Sequence, residues 1–206
     1  MSSSHLHKIV LVPVLLVLGM LVVVAHPATA MARFHEHEHD HDEPAVVVVL
    51  EASPETQELI DRICFQVEEY GFCNQAFNEN LPSPTTDIVG LTRITIDLAT
   101  LNATHTLDFV QRLLVNTTDP GQKSALEACE NGYSIVMRSF QDADVAFNMN
   151  DYRSVAKYEY VTPRAEGSCV LNIPPFNEEL AERNREMRIL ITMSLVSVLT
   201  LISTQV

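Results

Sequence analysis

The sequence predicts an all-α protein: an antiparallel four-helix bundle with an N-terminal α-helical hairpin and two disulfides. Three observations favour this class. Apolar residues recur at helical spacing in long segments, proline, glycine and Asx residues separate those segments, and no pair of alternating segments indicates a β-hairpin. Four long helices with short connections pack as antiparallel neighbours, and four cysteines are available to form the disulfides.

Residues 1–30 are predicted to be a signal peptide. Lys8 supplies a positive start, an apolar run extends from Ile9 to Ala25, and Ala28-Thr29-Ala30 provides the small residues that signal peptidase requires. A membrane anchor is the alternative, but the apolar run is short for a bilayer span and no basic cluster follows it. We therefore expect a secreted, extracellular protein with no stable membrane insertion after cleavage.

The mature chain is strongly acidic. Loss of Lys8 leaves 12 of the 13 Lys and Arg residues against all 27 Asp and Glu residues, so the formal charge changes from −14 to −15. Such a surface repels nucleic acid and polyanionic carbohydrate, and it favours a basic protein partner. We expect no nucleic-acid partner.

The mature chain contains four cysteines: Cys64, Cys73, Cys129 and Cys169. An even number in an exported chain indicates a disulfide framework, for which three connectivities are possible. A zinc site is the alternative, but spacings of 9, 56 and 40 residues include no short Cys-x2-Cys pair. Two sequons, at Asn102 and Asn116, are candidate glycosylation sites and agree with a secretory route.

Residues 31–52 form a leader that we expect to be disordered. Its centre reads HEHEHDHD, and an alternation of histidine with acid cannot build a core. The histidines lie two residues apart and could bind a transition metal weakly: His35, His37, His39 and His41. We favour a solvated spacer, and therefore expect no bound metal and no other cofactor.

The folded domain, residues 53–206, opens with the predicted hairpin. Ser53-Pro54-Glu55 combines a capping serine, a proline suited to the first turn and an acid that complements the helix dipole. The first short helix reaches Tyr70-Gly71, and the second ends before Pro82. Two helices this short need tertiary support to be stable.

Four longer helices follow. The first begins near Thr86, and Asp119-Pro120 separates it from the second. In the second, apolar residues step by three and four without a slip, which indicates one buried seam: Leu126, Cys129, Tyr133, Val136, Phe140, Ala143 and Phe147. The third begins near Asn150, carries Val155 and Tyr158, and is disturbed by Pro163 and Gly167.

The fourth long helix opens at Asn177 and ends near Ile202. Its apolar stretch, residues 189–202, is fourteen residues long and includes Ser and Thr, whereas a membrane span needs about twenty. The charged residues before it do not fit a lipid-anchor signal. We expect this helix to be buried in the bundle, with Asn184 as an interior amide whose hydrogen bonds are satisfied.

We expect no enzymatic activity and no catalytic residues. His105 is the only histidine after residue 41, and the sequence has no nucleophile elbow, metalloprotease helix, P-loop or dinucleotide-binding motif. If all four cysteines pair, no thiolate nucleophile remains. The many acids are expected mostly on polar helix faces, where they are solvated.

The chain resembles the plant invertase and pectin methylesterase inhibitors in three segments. Residues 60–73, which read IDRIC and then reach Cys73, resemble that family's hairpin opening. Residues 124–133, SALEACENGY, are similar to its A-L-x-x-C-x-x-x-Y segment. Cys169, the bend Pro174-Pro175-Phe176, Arg183-Asn184 and the last apolar helix are similar to its final section. The resemblance covers about residues 53–203.

The resemblance implies a four-helix bundle with a helical hairpin and the disulfides Cys64–Cys73 and Cys129–Cys169. It also implies an inhibitor that docks its bundle across the substrate cleft of a plant cell-wall enzyme, in the cell wall or apoplast. The chain departs from the family pattern twice. Thr162-Pro163-Arg164 interrupts the third bundle helix, and Phe65-Gln66-Val67 replaces a polar stretch.

The start of the third helix bears on the target. The invertase-inhibiting branch often has Pro-Lys-Phe there, whereas this chain has Asp151-Tyr152-Arg153, closer to the pectin methylesterase branch. We therefore expect a pectin methylesterase inhibitor. Inhibition of invertase is the alternative within the family, and a non-inhibitory extracellular metal or small-molecule binding protein is the alternative outside it.

Asp151, Tyr152 and Arg153 are the candidate contacts with the target. Tyrosine and arginine are enriched among interface hot spots, and the resemblance implies a target-sensitive motif at this position. The alternative is that Asp151 only caps the helix while Tyr152 packs against Phe147.

Overall fold

The structure is a computed structural model that describes residues 51–171 and 177–205. The predicted signal peptide, the histidine leader and the bend at residues 174–176 lie outside the described residues. All regular secondary structure in the described ranges is α-helical, which confirms the predicted class. The helices are α1 Pro54–Cys64, α2 Tyr70–Asn78, α3 Ile88–Asn116, α4 Pro120–Asn148, α5 Tyr152–Glu159, α6 Thr162–Val170 and α7 Glu178–Thr204.

Capping side chains define the starts of α1 and α3. Ser53 Oγ accepts a hydrogen bond from the Thr56 backbone N–H at 3.2 Å, as the sequence predicts. The start of α3 was predicted near Thr86, but the cap is Asp87, whose Oδ1 accepts from Gly90 N–H at 2.9 Å. Thr86 is buried instead and exchanges two backbone hydrogen bonds with the Thr56 hydroxyl, at 2.9 and 3.0 Å.

The hairpin of α1 and α2 contacts the bundle through ion pairs as well as through packing. Its connecting loop carries Glu68 and Glu69, which pair with Arg188 at 2.6 Å and with Arg185 at 2.5 Å, both on α7. Helix α1 contacts α7, and α2 contacts α3 and α7. Two short helices thus gain the tertiary support that they need.

Helices α3, α4 and α7 occupy three positions of the bundle, and α5 and α6 together occupy the fourth. Helix α3 contacts α4 and α7, while α5 and α6 each contact α4 and α7 as well. The predicted interruption of the third bundle helix is confirmed, because α5 ends at Glu159 and α6 begins at Thr162. On α5, Val155 is buried and Tyr158 is exposed.

The predicted seam of α4 is buried along its whole length. On α7 the buried surface is broad, because α7 contacts α3, α5 and α6. It includes Asn184, Ile189 and Met193. Among the described helices, α7 alone is long and apolar enough to cross a membrane, and half of its most apolar window of 18 residues is buried inside the protein.

Candidate functional site

The candidate site lies where α4 turns into α5. Three residues, 149–151, connect the helices. Asn150 has a φ of 58°, a left-handed conformation that asparagine tolerates better than most residues. This conformation reverses the chain, and the Asp151 backbone N–H then donates to the carbonyl of Ala146 at 3.0 Å. The start of α5 is therefore fixed against the last turns of α4.

Asp151 caps α5 with both carboxylate oxygens. Oδ1 accepts from the Ser154 backbone N–H at 3.1 Å, and Oδ2 accepts from the Ser154 hydroxyl at 2.6 Å. These hydrogen bonds, first that of the hydroxyl and then that of the backbone, lower the pKa of Asp151, and the nearby Arg153 charge acts in the same direction. Asp151 thus presents a negative charge at an exposed helix start.

Tyr152 belongs to the core. Its side chain is only 7 % exposed, its ring lies 5.6 Å from that of Phe147, and its hydroxyl donates to Asn150 Oδ1 at 2.9 Å. This is the packing that the alternative interpretation expected. Of the three candidate contacts, Asp151 and Arg153 are exposed and Tyr152 is not, because the turn at Asn150 directs the first side chain of α5 inward.

A shallow groove of about 160 Å³ runs between α4 and α5 beside this turn. We call it the α4–α5 groove; its lining residues are Asp142, Val145, Ala146, Met149, Asp151, Ser154 and Tyr158. Val145 is 54 % and Met149 72 % exposed. The groove therefore combines uncovered apolar side chains with two carboxylates at its edge.

Val145 and Met149 were missed by sequence reasoning. The sequence does contain a signal, since the two are four residues apart and lie outside the buried seam of α4. Two exposed apolar residues one helical turn apart form a small apolar surface beside the turn.

Both disulfides implied by the family resemblance are present. Cys64–Cys73 joins α1 to α2, and Cys129–Cys169 joins α4 to α6 with a Cα–Cα distance of 4.0 Å. Gly132 allows this close approach. A Cβ atom there would lie 2.5 Å from the carbonyl oxygen of Ala165.

Two buried carboxyls lie on the interrupted helix, as exceptions to the expectation that acids lie mostly on polar faces. Glu159 is fully buried; Oε1 accepts from the Ser194 hydroxyl at 2.7 Å, and Oε2 has no hydrogen-bond partner. Burial raises the pKa of Glu159 to about 8. Burial also raises the pKa of Glu166 to about 7, an effect that the Arg188 charge partly opposes.

The sequence carries a signal for these acids. Buried residues continue through the interruption in steps of three and four: Tyr152, Val155, Glu159, Thr162, Glu166 and Cys169. Both glutamates therefore occupy inward positions of one face. Because Glu159 is fully buried, its carboxyl cannot contact a substrate in this structure.

The remaining predicted residues are dispersed. Asn102 is half-buried in the middle of α3, and Asn116 is exposed at its end. The histidine leader lies outside the described residues. Within residues 51–171 and 177–205, no group of three or more His, Cys, Asp or Glu side chains is arranged to hold a metal ion.

Comparisons with known proteins agree with this fold. Residues 58–161 match the family model described as plant invertase/pectin methylesterase inhibitor. A pectinesterase inhibitor of Actinidia deliciosa is 28 % identical over 132 residues, 60 % of this chain and 71 % of that protein. The cell wall / vacuolar inhibitor of fructosidase 2 of Arabidopsis thaliana is 28 % identical over 94 residues, 45 % of this chain and 52 % of that protein.

A solved structure shares the architecture. The crystal structure of mutant form A of a pectin methylesterase inhibitor from Arabidopsis superposes with a TM-score of 0.61 at 19 % identity, covering 68 % of this chain and 94 % of that one. The helical bundle, the two disulfides and the family match over half of the chain lead to one assignment. The chain belongs to the plant invertase/pectin methylesterase inhibitor family.

Proposed function

We propose that this chain is exported to the plant cell wall and inhibits a pectin methylesterase there, without catalysing a reaction itself. The observation that carries the proposal is the relative named a pectinesterase inhibitor, of which the chain covers 71 %, compared with 52 % of the fructosidase inhibitor. The formal charge of −15 expected for the mature chain suits a basic enzyme and disfavours direct binding of acidic pectin.

The α4–α5 groove and the exposed side of α5 form the proposed contact surface. Val145 and Met149 supply apolar area that water now covers. Asp142 and Asp151 supply charge that is complementary to a basic enzyme, and Arg153 supplies a planar donor for an acceptor on that enzyme. A rigid bundle seated over a substrate cleft inhibits by exclusion, so no reactive side chain is required.

Inhibition of invertase is the second candidate, because a family relative is named an inhibitor of fructosidase. Asp151-Tyr152-Arg153 stands where the invertase-inhibiting branch often has Pro-Lys-Phe. Without those residues, we expect weaker inhibition of invertase than of pectin methylesterase.

The test is a titration of the purified mature chain against pectin methylesterase and against acid invertase. The double variant Val145→Ala/Met149→Ala should raise the inhibition constant for the true target at least tenfold, about 1.4 kcal/mol. Val115→Ala is the matched control, since Val115 is more exposed but lies at the end of α3, next to the start of α4 and away from the α4–α5 groove. Failure of the parent chain to inhibit pectin methylesterase would refute the proposal, and inhibition of invertase alone would favour the second candidate.

Metal binding through the histidine leader is tested in the same preparation. A chain that begins at Val46 should inhibit as strongly as the full mature chain, because the histidine leader is expected to be only a solvated spacer. At mildly acidic cell-wall pH its imidazoles are largely protonated, and protonated imidazole binds metal poorly. A large loss of inhibition, together with calorimetric binding of Cu²⁺ at that pH, would favour the metal-binding alternative instead.

A further inference from the structure

The two sequons occupy very different places on the same helix. Asn102-Ala103-Thr104 lies in the middle of α3, which spans Ile88–Asn116, whereas Asn116-Thr117-Thr118 begins at its last residue. The sequence pattern treats the two alike. In the folded chain, however, the two asparagines have different surroundings.

Asn116 is open to solvent and its neighbours leave space for a large adduct. Asn116 and Thr118 are exposed, and the backbone at Thr117 is extended, with φ −94° and ψ 123°. The Asn116 amide nitrogen donates to one group of its own helix, the Arg112 carbonyl, at 2.9 Å. An N-linked sugar leaves one N–H on that nitrogen, so this hydrogen bond can survive the modification.

Asn102 faces other helices. Its amide nitrogen donates to Glu186 Oε2 on α7 at 3.3 Å, and it lines a groove with Phe72 of α2 and Leu190 of α7. The next residue, Ala103, is fully buried. The Thr104 hydroxyl already donates to the Thr100 carbonyl at 2.8 Å. A sugar on Asn102 would start within this groove, beside the Glu186 carboxylate and the side chains of α2 and α7.

We propose that the exported chain carries one N-linked oligosaccharide, on Asn116, and that Asn102 stays unmodified. The donor is a lipid-diphosphate-linked oligosaccharide of the secretory route. The Asn116 amide nitrogen bonds to the anomeric carbon, the bond from that carbon to the diphosphate oxygen breaks, and the lipid diphosphate leaves with the electron pair. The nitrogen releases one proton to solvent.

A glycan at this position is compatible with the proposed inhibition. Asn116 precedes the first residue of α4, and the α4–α5 groove lies at the other end of that helix. The 22 residues from Pro120 at the start of α4 to Asp142, the first groove residue, separate the two places by about 33 Å, given a rise of about 1.5 Å per residue. The sugar would also shield Val115, which is 86 % exposed. The inference rests on the export included in the proposed function.

The experiment expresses the full chain in cultured secretory cells and maps the protein recovered from the medium. Trypsin separates the two sites, because cleavage after Arg93, Arg112 and Lys123 yields one peptide for Asn102 and another for Asn116. Peptide N-glycosidase in ¹⁸O-water converts each sugar-bearing asparagine to labelled aspartate. We expect the label in the peptide 113–123 and unmodified asparagine in the peptide 94–112.

Matched variants test the assignment without mapping. Asn116→Gln and Thr118→Ala should each abolish the glycosidase-sensitive mobility shift, whereas Asn102→Gln and Thr104→Ala should leave it unchanged. Label on Asn102, or an unglycosylated chain in the medium, would overturn the inference. If the chain stays in the cells, the proposed export is wrong, but the choice between the two sites is still untouched. The chain is then expressed with the signal peptide of the host, and the same peptide mapping decides between Asn102 and Asn116.

Discussion

The hydroxyl of Tyr133 on α4 donates to Oδ1 of Asn184 on α7 at 2.5 Å. Both residues are buried, and the Asn184 amide nitrogen in turn lies 3.5 Å from Cys169 Sγ on α6. These two polar contacts of Asn184 thus connect three helices of the bundle. The contacts also fix the relative position of these helices, because a shift of one turn would leave two buried polar groups without partners.

We expect Tyr133→Phe and Asn184→Leu each to lower the free energy of unfolding by about 1–3 kcal/mol, because each leaves a buried partner unsatisfied. The double variant should lose less than the sum of the two single losses. Urea unfolding of the disulfide-intact proteins measures all three. Strictly additive losses would show that the two side chains do not interact.

Glu159 should make the protein less stable as pH rises. Its folded pKa of about 8 lies above the ordinary 4.5, so the folded state holds a proton that the unfolded state releases. The stabilising contribution of protonated Glu159 is complete below about pH 4.5, is lost between pH 4.5 and 8 by at most about 1.4 kcal/mol per pH unit, and does not change further above that range. Thermal unfolding from pH 4 to 9 measures this slope.

Glu159→Gln should reduce that slope, because glutamine is neutral in both states. Part of the slope should remain up to about pH 7, where Glu166 titrates, and Glu159→Gln/Glu166→Gln should remove that part as well. Glu127→Gln, at an exposed position of α4, is the matched control and should leave the profile of the parent unchanged. An identical profile for Glu159→Gln would mean that the buried carboxyl is not the cause.

The origin of these features explains how far sequence reasoning reaches. The α4 seam and the interior position of Asn184 were predictable, because both follow from helical spacing alone. The two buried glutamates occupy the same kind of spacing, but an acid is ordinarily assigned to a solvated face. Their burial depends on Ser194 and on how α7 packs against α5, which is tertiary information.

The candidate surface illustrates the same limit. The break near Pro163 and the cap at Asp151 are local and were visible in the sequence. Whether Tyr152 points inward depends on the left-handed turn at Asn150 and on the position of the Phe147 ring in the last turn of α4. The α4–α5 groove arises only from the packing of two helices, so no single segment encodes it.

The disulfide between α4 and α6 should contribute more stability than that of the hairpin. On the chain-entropy model, closing the 40-residue loop contributes about 4 kcal/mol and closing the 9-residue loop about 2.6 kcal/mol. Cys129→Ser should therefore lower the melting temperature more than Cys64→Ser. Pairwise serine variants of each disulfide, which leave no free thiol, are the control, and equal losses would contradict the expected order.

Gly132→Ala should destabilise the contact between α4 and α6. Its Cβ would meet backbone and side-chain oxygens of α6 at 2.5 and 2.8 Å, so one helix must shift, at a cost of about 1–3 kcal/mol. Gly167→Ala on α6 itself is the matched control, since nothing lies within 4 Å of that position. The control should be neutral or gain up to about 1 kcal/mol from helix propensity. Equal effects of the two substitutions would contradict the close approach.

Substitutions of Tyr152 and Arg153 should distinguish an effect on folding stability from an effect on target binding. Tyr152→Ala removes a buried ring that packs on Phe147, so it should lower the free energy of unfolding by about 3–5 kcal/mol. Arg153→Ala changes an exposed side chain and should change the free energy of unfolding by no more than about 0.5 kcal/mol.

If the exposed side of α5 contacts the target, Arg153→Ala should still weaken inhibition of pectin methylesterase tenfold or more. Arg138→Ala, exposed on α4 outside the α4–α5 groove, is the matched charge control. Equal inhibition by parent and Arg153→Ala would remove this side of α5 from the interface and leave Asp151 as a helix cap only.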